Sequence, residues 1–247
     1  MRNGAKIYHG KTVKSGNIIE ISNFKESVLY GFTNNPTGRK TKATEEDSEK
    51  HRAETLRNAK RSIKRLINAN YETGSSRLLT LTYRENVQDI DRAYTDFRKF
   101  VRAYSKHLGH TIKYVAIPEL QDGSRRKDKE GRNAIHFHVV LFGIPEMVNL
   151  EYMRKHLWIH GSVNVKRLKD CKNVGAYLTM YLDLNSDKFV GRKIYLRSHG
   201  LKTPLEEKNS NPVDIAQYLE QGYHLDYTNT FVNDTNTIEY TILSKEL

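Results

Sequence analysis

The sequence has little of what an extracellular or membrane protein needs. Cys171 is the single cysteine among 247 residues, so we expect neither a disulfide framework nor a zinc site built from thiolates. No segment approaches the roughly 18 consecutive apolar residues that a membrane-spanning helix requires. The N-terminus also lacks the apolar stretch of a secretory signal peptide. These absences predict a cytoplasmic protein with no membrane partner.

Acidic residues are scarce relative to basic ones. The chain has 41 Lys and Arg against 29 Asp and Glu, which gives a net charge of +12 and a pI near 9.6. Such an excess favours a polyanionic partner, and nucleic acid is the natural one. A merely solubilising surface is the alternative. The length suits one large domain, or a domain with modest additions.

A short apolar segment at residues 134–142 has the composition of a buried strand. Successive side chains of a strand point to opposite faces, so His136 and His138 share one face. The other face is wholly apolar and consists of Ile135, Phe137, Val139 and Leu141. Two imidazoles on a rigid strand can hold one metal ion. Two partly exposed strand histidines without a ligand are the alternative interpretation.

A third metal ligand is available in a second predicted strand, at residues 114–120. A very polar loop joins this strand to the histidine strand. If the two strands pair as a hairpin, Glu119 lies opposite His136 or His138, and directly opposed residues share a face. Pro118 cannot donate a hydrogen bond within a sheet, so we expect it at an edge position or a bulge.

The pattern of elements predicts an α+β fold. From residue 77 the order is strand, helix, strand, strand, helix, strand, helix, which is typical of an antiparallel ferredoxin-like or RRM-like sheet with helices packed on it. We divide the chain into an accessory N-terminal segment of strands and a basic helix (1–70), a core (71–205), and a C-terminal extension of unknown role (206–247).

Candidate DNA contacts come from a basic helix, a loop and a strand. The helix has five cations without an intervening acid, mostly off its apolar stripe, and such a face is either solvated or in contact with phosphates. The two strand threonines share a face, where they either line a DNA groove or are hydroxyls satisfied within the sheet. The candidates are Arg57, Arg61 and Lys64 on the helix, Arg125 and Arg126 in the loop before the histidine strand, and Thr80 and Thr82 on the strand.

Two tyrosines lie on a helix predicted over residues 171–184, with Asp170 as its N-cap. Tyr177 and Tyr181 are four residues apart and therefore share a face. Aromatic residues at this spacing more often belong to a core, but the helix has other apolar residues to bury. A phenol with a pKa of about 10 attacks only a strongly activated electrophile. A metal ion that polarises a phosphodiester would provide that activation.

Three motifs in this order resemble those of the His-hydrophobic-His (HUH) endonucleases, specifically the two-tyrosine rolling-circle replication initiators of small plasmids and single-stranded DNA phages. The motifs are Leu79-Thr80-Leu81-Thr82, His136-Phe137-His138, and Tyr177-x-x-x-Tyr181. The segment at residues 114–121 also resembles the stretch that supplies the metal-binding glutamate in these proteins. The resemblance covers roughly residues 57–204.

The resemblance implies a site-specific nick in single-stranded DNA at an origin stem-loop. One DNA end would be kept as a 5′-phosphotyrosine, and the free 3′-OH would prime synthesis in the cytoplasm of a bacterial host. It also implies that Glu119, His136 and His138 hold Mn²⁺ or Mg²⁺. The chain has no helicase motif, so a host helicase and polymerase are the expected partners.

The sequence departs from this family at one point. The family usually has a lysine three residues after each tyrosine, where this chain has Met180 and Leu184. The role of that lysine is either unfilled or transferred, and the candidates to replace it are Lys188, Arg192 and Lys193. The sequence leaves open which tyrosine acts first, and we prefer Tyr177.

Other functions fit parts of the pattern. A transposase or a conjugative relaxase would use the same centre. A non-catalytic nucleic-acid-binding module would use the same type of sheet, but such modules display aromatic side chains on the exposed strands rather than a His-x-His pair. A metallo-oxygenase with two histidines and one carboxylate is a more remote third.

Overall fold

A computed structural model describes residues 5–31, 45–120, 133–166, 168, 173–180 and 192–246. Its strands are β1 (Lys6–Ser15), β2 (Ile18–Tyr30), β3 (Arg77–Tyr83), β4 (Lys113–Leu120), β5 (Ile135–Phe142), β6 (Gly161–Lys166), β7 (Leu196–Arg197), β8 (Leu205–Asn209), β9 (His224–Val232) and β10 (Thr237–Ser244). Its helices are α1 (Glu45–Asn70), α2 (Ile90–Leu108), α3 (Leu150–Tyr152), α4 (Val174–Thr179) and α5 (Ala216–Glu220), with a π-helical segment (Met153–Leu157) directly after α3. The strands form two antiparallel sheets, which confirms the predicted α+β class. Among the described residues, no helix has both the length and the apolar character needed to cross a membrane.

The chain divides into two compact units. The central unit is Lys60–Leu201, and the terminal unit combines Met1–Ala59 with Lys202–Leu247. In the terminal unit the strand order is β8-β1-β2-β10-β9, so strands from both ends of the chain pair directly. The core on one face of this sheet is made of Ile19, Ile21, Val213, Tyr223 and Leu243. The N-terminal and C-terminal segments, which the sequence analysis treated separately, therefore share one sheet.

The sheet of the central unit has the order β6-β3-β5-β4-β7, and all of its neighbouring strands are antiparallel. The first four of these strands have the arrangement of a ferredoxin-like fold, in which each helix connects two strands that are not neighbours. The predicted order of strands and helices from residue 77 is confirmed.

Helix α2 covers one face of this sheet. The side chain of Asp89 caps its beginning by accepting hydrogen bonds from two backbone N–H groups, and Gly109, with a φ of 73°, ends it in the left-handed region. Its apolar side packs on the apolar face predicted for β5, and Phe97 stacks on Phe137 with 4.9 Å between the ring centroids. This face is a packed core with no polar site in it.

The opposite face of the sheet is divided between a core and a polar area. Ile63 and Ile67 of α1 and Leu178 of α4 pack there on apolar strand residues such as Val140. Because residues two apart on a strand share a face, His138 and Val140 lie side by side on β5. The polar area therefore begins where the cover of α1 and α4 ends.

The register of β4 and β5 places Glu119 directly opposite His136, as the hairpin prediction requires. Pro118 lies opposite Phe137, and the pairing continues through it without a shift in register. On its other side, β4 pairs with β7 only at Val115 and Ala116. Pro118 is thus at an edge position, the first of the two predicted alternatives.

Candidate metal centre and tyrosine helix

The side chains of Glu119, His136 and His138 converge on one point of the polar area. The Oε2 atom of Glu119 lies 2.9 Å from Nε2 of His136 and 2.8 Å from Nε2 of His138. The two Nε2 atoms are 3.1 Å apart. All three residues are buried. The structure thus brings together the three predicted ligands, which we call the triad.

Hydrogen bonding within the triad explains only part of this geometry. If both imidazoles donate from Nε2 to the carboxylate, two N–H groups face each other across 3.1 Å and cannot bond to one another. A cation removes this conflict because each ligand atom then turns a lone pair toward it. Ligands about 2.1 Å from an octahedral metal ion stand about 3.0 Å from their neighbours, close to the separations within the triad. The residues present therefore fit a divalent metal ion.

The electrostatics of the triad favour an ionised carboxylate. Burial alone would raise the pKa of Glu119, but hydrogen bonds and charge interactions with His136 and His138 outweigh it and lower the pKa to about 2. A carboxylate that stays ionised near neutral pH is ready to bind a cation without first losing a proton.

Threonines from β3 surround the histidines. Thr80 pairs with His138 and Thr82 with His136 across the two strands. The hydroxyl of Thr80 lies 3.5 Å from Nδ1 of His138, a contact that helps to orient that ring. Nδ1 of His136 is buried and has no hydrogen-bond partner in the described part of the chain. Both threonines are half-buried.

The same polar area extends further than the sequence indicated. Ser162 of β6 pairs with Thr82, and Asn164 pairs with Thr80, so both lie on the face of the triad. Both are exposed. Their spacing of two residues is visible in the sequence, but which face of the sheet they occupy depends on the pairing of β6 with β3.

Tyr177 lies on α4, which packs on the face of the sheet that carries the triad. Its side chain is partly buried against the core formed there by α1, α4 and the strands. Tyr181 lies outside the described residues. The structure thus places Tyr177 on the side of the triad rather than behind the sheet.

The beginning of α4 differs from the prediction. The helix starts at Val174, and its N-cap is Asn173, whose side chain accepts from the N–H of Ala176, so Asp170 is not the cap. Asn68 of α1 stabilises this start, because its amide donates to Asn173 Oδ1 at 2.9 Å. A partner more than 100 residues away, invisible in the local sequence, thus selects the cap.

Asn68 and Gly175 fix α4 against α1. The carbonyl oxygen of Asn68, which is buried, accepts a hydrogen bond of 2.7 Å from the backbone N–H of Gly175. A Cβ atom on Gly175 would lie 2.1 Å from the backbone oxygen of Lys64. The two helices therefore approach too closely here for any side chain, and Asn68 is a positioning residue that the sequence analysis missed.

The predicted cationic contacts are only partly described. Arg57 and Arg61 are exposed on α1, and Lys64 on the same helix is half-buried. Arg125, Arg126 and Lys188 lie outside the described residues. The structure thus leaves two of the helix candidates fully accessible to a ligand.

The two other auxiliary candidates lie beside α2. The guanidinium of Arg192 forms an ion pair of 2.6 Å with Asp91 in the first turn of α2. The backbone carbonyl of Lys193 accepts a hydrogen bond from the hydroxyl of Tyr94, also on α2. Because α2 covers the face opposite the triad, the structure does not bring Arg192 to the triad.

An α+β sheet with two histidines and one glutamate converging beside a tyrosine-bearing helix is an arrangement suited to metal-assisted chemistry on phosphate esters. Comparison with known families gives a more specific result. Residues 76–186 match the model of the family described as Replication-associated protein ORF2, which comprises rolling-circle replication initiators. This segment lies wholly in the central unit and includes the triad and both tyrosines, so the chain carries a Rep-like domain of that family. No curated protein and no solved structure matches the chain.

A first prediction concerns the triad itself. Glu119→Gln preserves the shape of the side chain but removes its charge, and we expect the affinity for Mn²⁺ to fall by at least about 100-fold, because loss of even an outer partner of a metal ligand costs 10- to 100-fold. Isothermal titration of the purified protein with Mn²⁺ measures this. The matched control is Glu151→Gln, which removes an exposed carboxylate on α3. Equal Mn²⁺ affinities of the two variants would contradict the assignment of Glu119 as a ligand.

Proposed function

We propose that this protein nicks and joins single-stranded DNA at a replication origin and thereby initiates rolling-circle replication. The observation that carries the proposal is the convergence of Glu119, His136 and His138 within 3.1 Å, on the face of the sheet against which the helix of Tyr177 packs. The match of this region to replication-associated proteins supports the choice of DNA as substrate.

The triad holds a divalent metal ion, Mn²⁺ or Mg²⁺. When bound, the ion polarises the scissile phosphodiester and offsets the negative charge that develops on its oxygens. Glu119 contributes the anionic ligand and the two imidazoles contribute neutral ones, which leaves net positive charge at the site for the phosphate. Thr80 and Thr82, in the adjoining row of the sheet, lie where they can contact the DNA strand.

The nick is a transfer of the phosphoryl group to tyrosine. The phenol oxygen of Tyr177 attacks the phosphorus and loses its proton, the bond from phosphorus to the 3′ oxygen breaks, and a proton is taken up by that oxygen to give a free 3′-OH. The 5′ end stays on the protein as a phosphotyrosine ester. No bond energy is lost to hydrolysis, so a hydroxyl can later attack the ester and rejoin the strand.

A second tyrosine allows two transfers in succession. Tyr181 attacks a second phosphodiester while the first ester persists, so the protein can close one round of replication as it begins the next. Lys188 and Lys193 remain candidates for supplying the proton to the leaving oxygen, in place of the lysines that the family usually has. A host helicase and polymerase extend the free 3′-OH.

The experiment that tests this function needs no knowledge of the origin. The protein is incubated with Mn²⁺ and a pool of single-stranded oligonucleotides that have a randomised segment beside a fixed stem. A 3′ label is expected to move with the protein on a denaturing gel, whereas a 5′ label is expected on a shortened free oligonucleotide. Sequencing the trapped DNA then identifies the preferred site.

The two labels make the outcome specific to the proposed chemistry. A hydrolytic nuclease would shorten both labelled strands and leave neither on the protein. A non-catalytic binding module would leave both strands intact. Either result, obtained with protein that binds Mn²⁺, would overturn the proposal.

A further inference from the structure

The excess positive charge of the chain is confined to one of its two units. The central unit, Lys60–Leu201, has 27 Lys and Arg against 14 Asp and Glu, a net charge of +13. The terminal unit has 14 against 15, a net charge of −1. A polyanion is therefore attracted to the central unit, and any surface that binds one is to be sought there.

Within the central unit, one surface is basic without being part of the triad's face. From Phe97 to Pro118 the chain has five Lys and Arg and no Asp or Glu. Arg98, Arg102 and Lys106 follow one another at intervals of four residues on α2, so they form a single row with steps of about 6 Å. All three are exposed. We call these residues the α2 row.

Acidic partners neutralise the beginning of α2 but not the α2 row. Arg92 pairs with Glu85 at 2.9 Å, and Lys99 pairs with Asp96 at 3.6 Å. In the described ranges, no carboxylate forms an ion pair with a member of the α2 row. Interaction with the helix dipole accounts for Lys106, which lies in the last turn, but not for the two arginines in the body of the helix.

A stack of polar rings continues this surface. His107, which follows the last member of the α2 row, lies on Tyr152 with 4.7 Å between the ring centroids, and Tyr152 lies on His156 at 4.6 Å. All three rings are exposed. Their N–H and O–H groups are donors of the kind that bind phosphate oxygens. Because the rings stack on one another, their faces are largely occupied.

The α2 row is remote from the triad. The apolar side of α2 packs on the face of the sheet opposite the triad, and the α2 row points away from that face. The helix alone is about 10 Å across, so the sheet and the helix together separate the two surfaces. A strand bound at the triad therefore leaves the α2 row free for another segment of nucleic acid.

We propose that the α2 row and the adjoining ring stack bind the phosphate backbone of double-stranded DNA, at a site separate from the triad. A straight row of cations on a convex helix suits a duplex, whose backbone is rigid and presents closely spaced charges. Single-strand sites instead combine a groove with aromatic faces on which bases stack. The site adds to the proposed function a means of holding the duplex that adjoins the nicked strand.

The test compares two double variants with the same loss of charge. Arg98→Gln with Arg102→Gln removes two cations of the α2 row, and glutamine preserves the helix. Lys14→Gln with Lys25→Gln removes two exposed lysines of the terminal unit and serves as the control. Fluorescence anisotropy with a labelled duplex of arbitrary sequence, in EDTA and over a range of salt concentrations, gives the affinity and its salt dependence.

For the α2 variant we expect duplex affinity to fall by about tenfold or more near 0.1 M salt. The slope of log affinity against log salt should also decrease by about 2, since each phosphate contact contributes about 0.9. The control should match wild type, and each single arginine variant should show about half of the change. Equal effects of the two double variants, or no effect of the α2 variant, would overturn the proposal.

Single-stranded DNA distinguishes this site from the proposed active site. The α2 variant should form the Mn²⁺-dependent covalent adduct with the oligonucleotide pool as wild type does. A loss of single-strand binding as large as the loss of duplex binding would overturn the assignment to duplex. Because the duplex measurement needs neither Mn²⁺ nor cleavage, it stands even if no adduct is ever found.

Discussion

Tyr177→Phe is expected to abolish the first covalent adduct with single-stranded DNA, with a loss of at least about a thousandfold in its rate of formation. The substitution removes only the hydroxyl, so the packing of the ring against the core of α1 and α4 is retained. Tyr181→Phe should still form the adduct but fail in the second transfer. Gel analysis of 3′-labelled oligonucleotides measures the first step, and formation of a joined product measures the second.

The matched control for this experiment is Tyr195→Phe. Tyr195 packs against the same core as Tyr177 and has no part in the proposed chemistry, so its variant should nick and join normally. If both Tyr177→Phe and Tyr181→Phe nick and join like wild type, the assignment of the nucleophiles is wrong.

Gly175→Ala is expected to cost more activity than its single methyl group suggests. The new Cβ would lie 2.1 Å from the backbone oxygen of Lys64 and 2.8 Å from Oδ1 of Asn68, and a backbone oxygen within a helix cannot yield. Helix α4 must therefore move away from α1, and Tyr177 moves with it. We expect a loss of about 1–3 kcal/mol in the free energy of unfolding and a loss of adduct formation of about 100-fold, because small misplacements of a reacting group have effects of this size.

Ala176→Gly separates displacement from simple destabilisation. It weakens α4 by about 1 kcal/mol through helix propensity, but it leaves the contact between Gly175 and Lys64 unchanged. We expect it to retain most of the activity when unfolding in urea shows a comparable loss of stability. If Gly175→Ala is as active as Ala176→Gly, the close contact of the two helices does not position Tyr177.

The position of the triad followed from the sequence because local rules determine it. His136 and His138 share a face for any strand, and a hairpin places Glu119 opposite one of them. The apolar residues that alternate with the histidines determine which face points to the core of α2. The strand order also followed, since the alternation of strands and helices leaves few topologies.

Other features depend on contacts between residues far apart in sequence. Asn173 rather than Asp170 caps α4 because Asn68 binds it from α1, and nothing near residue 173 indicates this. The place of Ser162 on the triad's face depends on the pairing of β6 with β3. The composition of the chain as a whole also concealed the separation of charge between its two units, since a net charge is a sum over both.

The pairing of β1 and β2 with β8 and β10 has a consequence for synthesis on the ribosome. Between Tyr30, the last residue of β2, and Leu205, the first of β8, 174 residues must be added, which takes about 10 to 35 s at 5–20 residues per second. During that time the hairpin of β1 and β2 has emerged without the strands that flank it, and Ile19 and Ile21 lack the apolar partners supplied by residues 213–243. A prematurely ended chain would thus display a sticky hairpin to chaperones and proteases while already containing every member of the triad.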